Sequence, residues 1–68
     1  MKEGNTMNLP LYTIWYDTFE GNLNHVYAHT TAAANNIVWE LHKQHCTGIE
    51  VWLTNSMTDV TKDFKRLI

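Results

Sequence analysis

The residues of this chain best equipped for chemistry stand in one short run, His42-Lys43-Gln44-His45-Cys46. On a helix, His42 lies one turn from Cys46 and three residues from His45, and zinc accepts both imidazole and thiolate. A structural zinc site takes four ligands, however, and no second pair stands at a matching spacing. His45 also falls on an apolar helical stripe, which reads as packing. A Cys46–His42 nucleophile pair has helical spacing in its favour, but it lacks a third group to orient the imidazole and a cleft to hold a substrate. His25 and His29 share a strand face, yet four residues of strand span about 13 Å, too far to grip one ion. Ser56 is the only serine and stands where a turn or cap would use it, and the three glycines are isolated, so no phosphate-binding loop is present. The sequence therefore predicts no catalytic, metal or cofactor site, and leaves binding through a surface as the mode of action.

The elements that position these residues follow from periodicity. Leu11-Tyr12-Thr13-Ile14-Trp15-Tyr16 is rich in aromatic and β-branched residues and reads as a first strand, with Pro10 at its start, where a missing N–H is tolerated. Thr18-Phe19-Glu20-Gly21-Asn22 is the turn, Gly-Asn supplying positive φ, and Leu23–Ala28 is the second strand. Thr30 or Thr31 caps a helix running from Thr31 to Cys46, with Ala34, Ile37, Val38, Leu41 and His45 as its buried stripe and Gly48 as its left-handed stop. Ile49, Val51 and Leu53 alternate with Glu50, Trp52 and Thr54, which marks a third strand with one buried face. Ser56-Met57-Thr58-Asp59 resembles a capping box and predicts a short C-terminal helix, with Met57, Val60, Phe64 and Leu67 on one face and Lys65 and Arg66 near its end.

The expected fold is α+β: a three-stranded sheet in ββαβ order, with spatial order 2-1-3, one helix on one face and a short C-terminal helix. The helix crossover makes strands two and three parallel, with strand one between them. Residues 1–8 form a polar arm and residues 9–68 a single domain. A domain of this size buries only about 60% of its unfolded surface, so its core is small. Cys46 is the only cysteine, which rules out an internal disulfide and points to a reducing compartment. The net charge is −2, with three basic and two acidic groups in the last eleven residues, so the rest of the chain carries −3. Five Lys and Arg make no basic patch for tracking phosphates, and seven carboxylates are too few for a nucleic-acid mimic. No apolar run approaches the roughly 20 residues that span a bilayer, and the start lacks a signal-peptide core, so the expected location is cytoplasmic.

Three surfaces remain for a partner. Tyr12, Ile14, Tyr16, Val26, Ala28, Ile49, Val51 and Leu53 are expected to face the helix, which puts Trp15, His25, Tyr27, His29 and Trp52 on the other face. So much aromatic area is either covered by the C-terminal helix through Phe64 and Leu67 or kept for a partner. On the back of the main helix, Asn35, Trp39, His42 and Cys46 share a stripe, where Trp39 is either an anchor or lies under Met7 and Leu9. Strands two and three are the expected sheet edges, and the third, with Glu50 as its single charge, is weakly protected against pairing with another chain or a second copy. The expected partner contacts are Trp15, Tyr27, Trp39, His42, Glu50 and Trp52.

The strand-strand-helix-strand order, together with Val26-Tyr27-Ala28-His29-Thr30 and Gly48-Ile49-Glu50-Val51, resembles the small inhibitor of host RNA polymerase made by T7-type phages. In that family a tyrosine-alanine pair ends the second strand, a threonine opens the helix, and a Gly-aromatic-Glu-Val run opens the third strand. The resemblance covers about two-thirds of the chain. It implies a small phage-encoded accessory protein that binds and disables a host protein or protein–nucleic-acid complex by steric blocking. The family's polymerase-contacting arginines on the third strand are replaced here by Leu53 and Asn55, so polymerase is one target class and CRISPR or other defence effectors, whose inhibitors share this size, are another. The alternative is a single-strand nucleic-acid binder that stacks bases on Trp15, Tyr27 and Trp52, a reading weakened by the shortage of nearby Lys and Arg.

Overall fold

A computed structural model describes residues 10–67, with side chains through Phe64. Its architecture is α+β. Strand β1 (Tyr12–Asp17) and strand β2 (Leu23–Ala28) form an antiparallel hairpin, helix α1 (Thr31–Lys43) crosses over one face, and strand β3 (Thr47–Leu53) returns beside β1. A two-residue strand, β4 (Thr58–Asp59), then pairs antiparallel with the end of β3, and a 3₁₀ helix spans Thr61–Leu67. The sheet order is β2-β1-β3-β4. The expected order 2-1-3 is present within it, but the sheet has four strands rather than three.

The hairpin closes as its composition requires. Gly21 holds φ 91°, its N–H donates to the Thr18 carbonyl at 2.8 Å, and the Asn22 N–H donates to Thr18 Oγ1 at 3.1 Å. Of the Gly-Asn pair, Gly21 supplies the positive φ. Thr30 is the N-cap of α1, in extended backbone, with its hydroxyl accepting from the Ala33 N–H at 3.0 Å.

The helix ends three residues earlier than its apolar spacing predicts. The His45 N–H donates to the His42 carbonyl and the Cys46 N–H reaches back to that of Leu41, both at 3.0 Å, the paired bonds of a Schellman motif. His45 is the left-handed residue of that motif, at φ 65°, and it is exposed. The buried stripe therefore stops at Leu41, and His45 is not part of it. Gly48 has a different task from the helix stop assigned to it. It lies inside β3 at φ 60°, where the register between β1 and β3 slips at Trp15/Asp17, and a Cβ there would come within 2.8 Å of Asp17 Oδ2. It makes a bulge.

The short C-terminal helix expected after Asn55 begins later, as the 3₁₀ helix at Thr61–Leu67, and a turn and a short strand stand where its start was expected. The Met57 N–H donates to the Leu53 carbonyl at 2.8 Å, and Met57 sits at φ 56°, so the chain turns back on itself and Thr58–Asp59 pairs with Trp52 and Leu53. Ser56 Oγ and Thr58 Oγ1 lie 2.8 Å apart within the turn, so Ser56 stabilises a hairpin rather than a helix start. Thr61 then fastens the chain. Its hydroxyl accepts from the Val51 N–H at 2.9 Å and donates to Asp59 Oδ1 at 2.5 Å, while its own N–H donates to the same carboxylate oxygen at 2.8 Å.

The core lies between sheet and helix. Ile14, Val38 and Val51 are fully buried at its centre, with Ala28, Ala34, Leu41, Ile49 and Phe64 around them. Tyr12, Tyr16, Val26 and Ile37 pack against this cluster, as alternation and helical spacing predict. Phe64 corrects the alternative in which the tail folds over the aromatic face: it enters the helix side and meets Tyr12 edge to face, with centroids 5.5 Å apart. Leu67, Met7, Leu9 and the 1–8 arm lie outside the residues whose side chains the structure describes. No described helix is long and apolar enough to cross a membrane.

Candidate functional site: the aromatic sheet face

The face of the sheet away from α1 carries two cross-strand rows. Register places Tyr27, Thr13 and Trp52 side by side across β2, β1 and β3, with Asp59 next in line on β4. The adjacent row is His25, Trp15 and Glu50. Strand alternation alone puts these side chains on one side, because residues two apart along a strand point the same way. The rings touch: Trp15 and His25 lie 4.7 Å apart by centroid, and His25 meets Tyr27 edge-on at 5.3 Å. Such contacts hold the rings in place as a platform.

These rows line a shallow groove of about 450 Å³, bounded by Thr13, Trp15, Leu23, Tyr27, Glu50, Trp52, Thr54 and Met57. Its volume falls within the range of small-ligand and side-chain pockets. The Trp52 indole N–H donates to Glu50 Oε1 at 3.2 Å, and Thr13 and Thr54 share a hydroxyl hydrogen bond of 2.8 Å at the far end. Tyr27 is 52% exposed, and Leu23 and Met57 at the two ends are 68% and 73% exposed. Among the described residues, Glu50 is the one charged member of the lining. Asp59, in the neighbouring row, has its carboxyl held below the usual aspartate range by the Thr61 hydroxyl and amide that donate to it.

Of the six expected partner contacts, the structure brings four together here: Trp15, Tyr27, Glu50 and Trp52. Trp39 and His42 form a separate patch on the outer side of α1, with ring centroids 6.3 Å apart and Trp39 48% exposed. Cys46, placed by helical spacing on the same stripe, lies beyond the end of α1 and packs half-buried against the core. The helix thus does not hold His42 and Cys46 one turn apart. His29 follows β2 in a bend and is exposed, off the aromatic rows. Among the described residues, no three His, Cys, Asp or Glu side chains gather at one point.

Leu23 and Met57 add to the expected contacts. Leu23 is legible in the sequence, since it precedes His25 and Tyr27 at the same two-residue spacing. Met57 is not, because it reaches the face only through the β3–β4 turn.

The edges also differ from expectation. β4 covers the end of β3, so the outer strands are β2 and β4. β2 is the long edge, Leu23-Asn24-His25-Val26-Tyr27-Ala28, with no Lys, Glu, Asp, Arg or Pro to discourage pairing. Comparisons with protein-family models, curated proteins and solved structures found no match to this chain.

Proposed function

We propose that this chain is a non-enzymatic protein-binding module that acts by occluding its partner, with the aromatic sheet face as the contact surface. The observation that carries the reading is the position of Phe64. It joins the core on the helix side, so the C-terminal segment that could have sealed the opposite face contributes to the other layer, and Trp15 and Tyr27 stand exposed on the sheet. Tryptophan and tyrosine supply large contact area at small conformational cost and dominate binding hot spots. The unprotected edge of β2 lies beside the same rows and offers backbone pairing to a strand of the partner or of a second copy. Steric blocking of a host assembly, RNA polymerase or a defence effector, is the mode implied by the resemblance to phage inhibitors.

The test is capture from a bacterial lysate with the intact chain and two variants. The reading expects one protein held in stoichiometric amount by the native chain, lost with Trp15→Ala/Trp52→Ala and kept with Trp39→Ala. Equal capture by the native chain and the double variant contradicts it. Base stacking of a single-stranded nucleic acid is the second reading. The exposed rings favour it, but Glu50 in their midst opposes a phosphate backbone.

A further inference from the structure

We infer that the groove is built to take an arginine side chain presented by the partner protein. This rests on the protein-binding reading of the same face and specifies the chemistry of what docks there.

Three observations converge on a planar cation. First, the groove offers ring faces: Trp15 and Trp52 stand on neighbouring strands, and Tyr27 closes one side. Cations sit favourably over such faces, tryptophan best, and guanidinium stacks on them better than ammonium does. Second, the charged lining residue is Glu50, which stands directly across from Trp15 in the β1–β3 register. The Trp52 indole donates to its Oε1, which fixes the carboxylate at the edge of the aromatic surface and takes one of its roughly four acceptor sites. A carboxylate aimed in this way can receive the fork of a guanidinium lying flat on the rings. Third, the ends of the groove are aliphatic. Leu23 and Met57 are exposed there and offer apolar contact to the methylene stem of an arginine. Among the described residues, the lining holds no Lys or Arg, and Asp59, beside Trp52 in the neighbouring row, adds to the negative potential. A phosphate chain would meet that potential head-on. An uncharged apolar segment would leave Glu50 covered and without a cation.

The backbone at Met57 agrees with this use. A methionine at φ 56° holds a conformation that glycine or asparagine adopts at lower cost, and here it places an adaptable side chain at the mouth of the groove.

The experiment is an NMR titration of the full chain, read on its three indole N–H signals. The probes are a short arginine-bearing peptide, the same peptide with citrulline for arginine, and an oligothymidine. The arginine peptide is expected to move the Trp15 and Trp52 signals and leave that of Trp39 in place. Citrulline has the same shape without the charge, and should bind at least about fivefold more weakly. Glu50→Gln keeps an acceptor for the Trp52 indole, so the fold and that hydrogen bond survive, yet it should weaken the arginine peptide by a similar factor. Equal affinity for the citrulline peptide, no effect of Glu50→Gln, or no shift with arginine overturns the inference. So does preferential binding of the oligothymidine, or a shift of the Trp15 and Trp52 signals on dilution that marks a second copy as the occupant. Lysate capture separates the two levels. If capture depends on Trp15 and Trp52 but is indifferent to Glu50→Gln, the binding face stands and the arginine assignment falls; if capture ignores Trp15 and Trp52, the protein-binding reading itself fails.

Discussion

The rings of Tyr12 and Phe64 meet at 83°, centroids 5.5 Å apart, on the helix side of the sheet. Tyr12 is the first residue of β1, so this contact ties the C-terminal segment to the opening of the sheet and to the layer that already holds α1. The other layer keeps its aromatic rows because Phe64 is committed here.

That commitment has a measurable stability. Phe64 is 4% exposed and is one of eight buried core residues among those described, and Phe64→Ala should cost about 3 kcal/mol or more in urea unfolding. Most of the stability of so small a domain would be lost. The native emission of Trp15 and Trp52 should not change, because both rings lie on the opposite face of the sheet. A loss below about 1 kcal/mol, together with altered Trp15 and Trp52 emission when the variant is made in the Trp39→Phe chain, would place Phe64 on the wrong layer.

Two left-handed positions flank the start of β3 and should respond with opposite sign. His45 pays a Cβ penalty at φ 65° in the helix stop, so His45→Gly should raise stability by about 0.5–1 kcal/mol. Gly48 stands at φ 60°, and a Cβ on it would lie 2.8 Å from Asp17 Oδ2, so Gly48→Ala should cost about 1–2 kcal/mol. Denaturant midpoints of the two variants check both, and a gain from Gly48→Ala would contradict the bulge.

The first three strands, the helix and the order 2-1-3 were legible because alternation at Tyr12–Tyr16 and Ile49–Leu53, and helical spacing at Ala34, Val38 and Leu41, each admit one buried face. The division of aromatics between faces followed from the same alternation. What was not legible depended on backbone choices that several residue types can make. Ser56-Met57-Thr58-Asp59 satisfies a capping box as well as it satisfies a tight turn, and only Met57 in the left-handed region decides for the hairpin. Gly48 invited the role of helix stop, while His45, a residue that accepts positive φ less readily, performs it. The groove inherits this division: Trp15, Tyr27, Glu50 and Trp52 could be read, whereas its Met57 end could not.

Thr61 and Asp59 form a clamp with a defined pH dependence. The folded pKa of Asp59 lies below its ordinary 3.8, chiefly through the Thr61 hydroxyl and then its amide. A lowered carboxyl pKa contributes stability that is present above 3.8 and is lost as pH falls through the lower folded value. Asp59→Asn should therefore flatten the acid end of the stability–pH curve while leaving its shape unchanged at neutral pH. Thr61→Val removes the acceptor for the part-buried Val51 N–H as well and should cost about 1–3 kcal/mol at neutral pH. A Thr61→Val protein as stable as the native chain would contradict the clamp.

Binding through the sheet face requires that face to be open in the free protein, and acrylamide quenching of the Trp39→Phe chain tests this most directly. With the helix indole gone, the emission comes from Trp15 and Trp52 alone. Both should be reached by the quencher in the free protein, and both should be shielded once the captured partner is bound. Indoles already shielded in the free chain, or equally quenched with the partner in place, would contradict it.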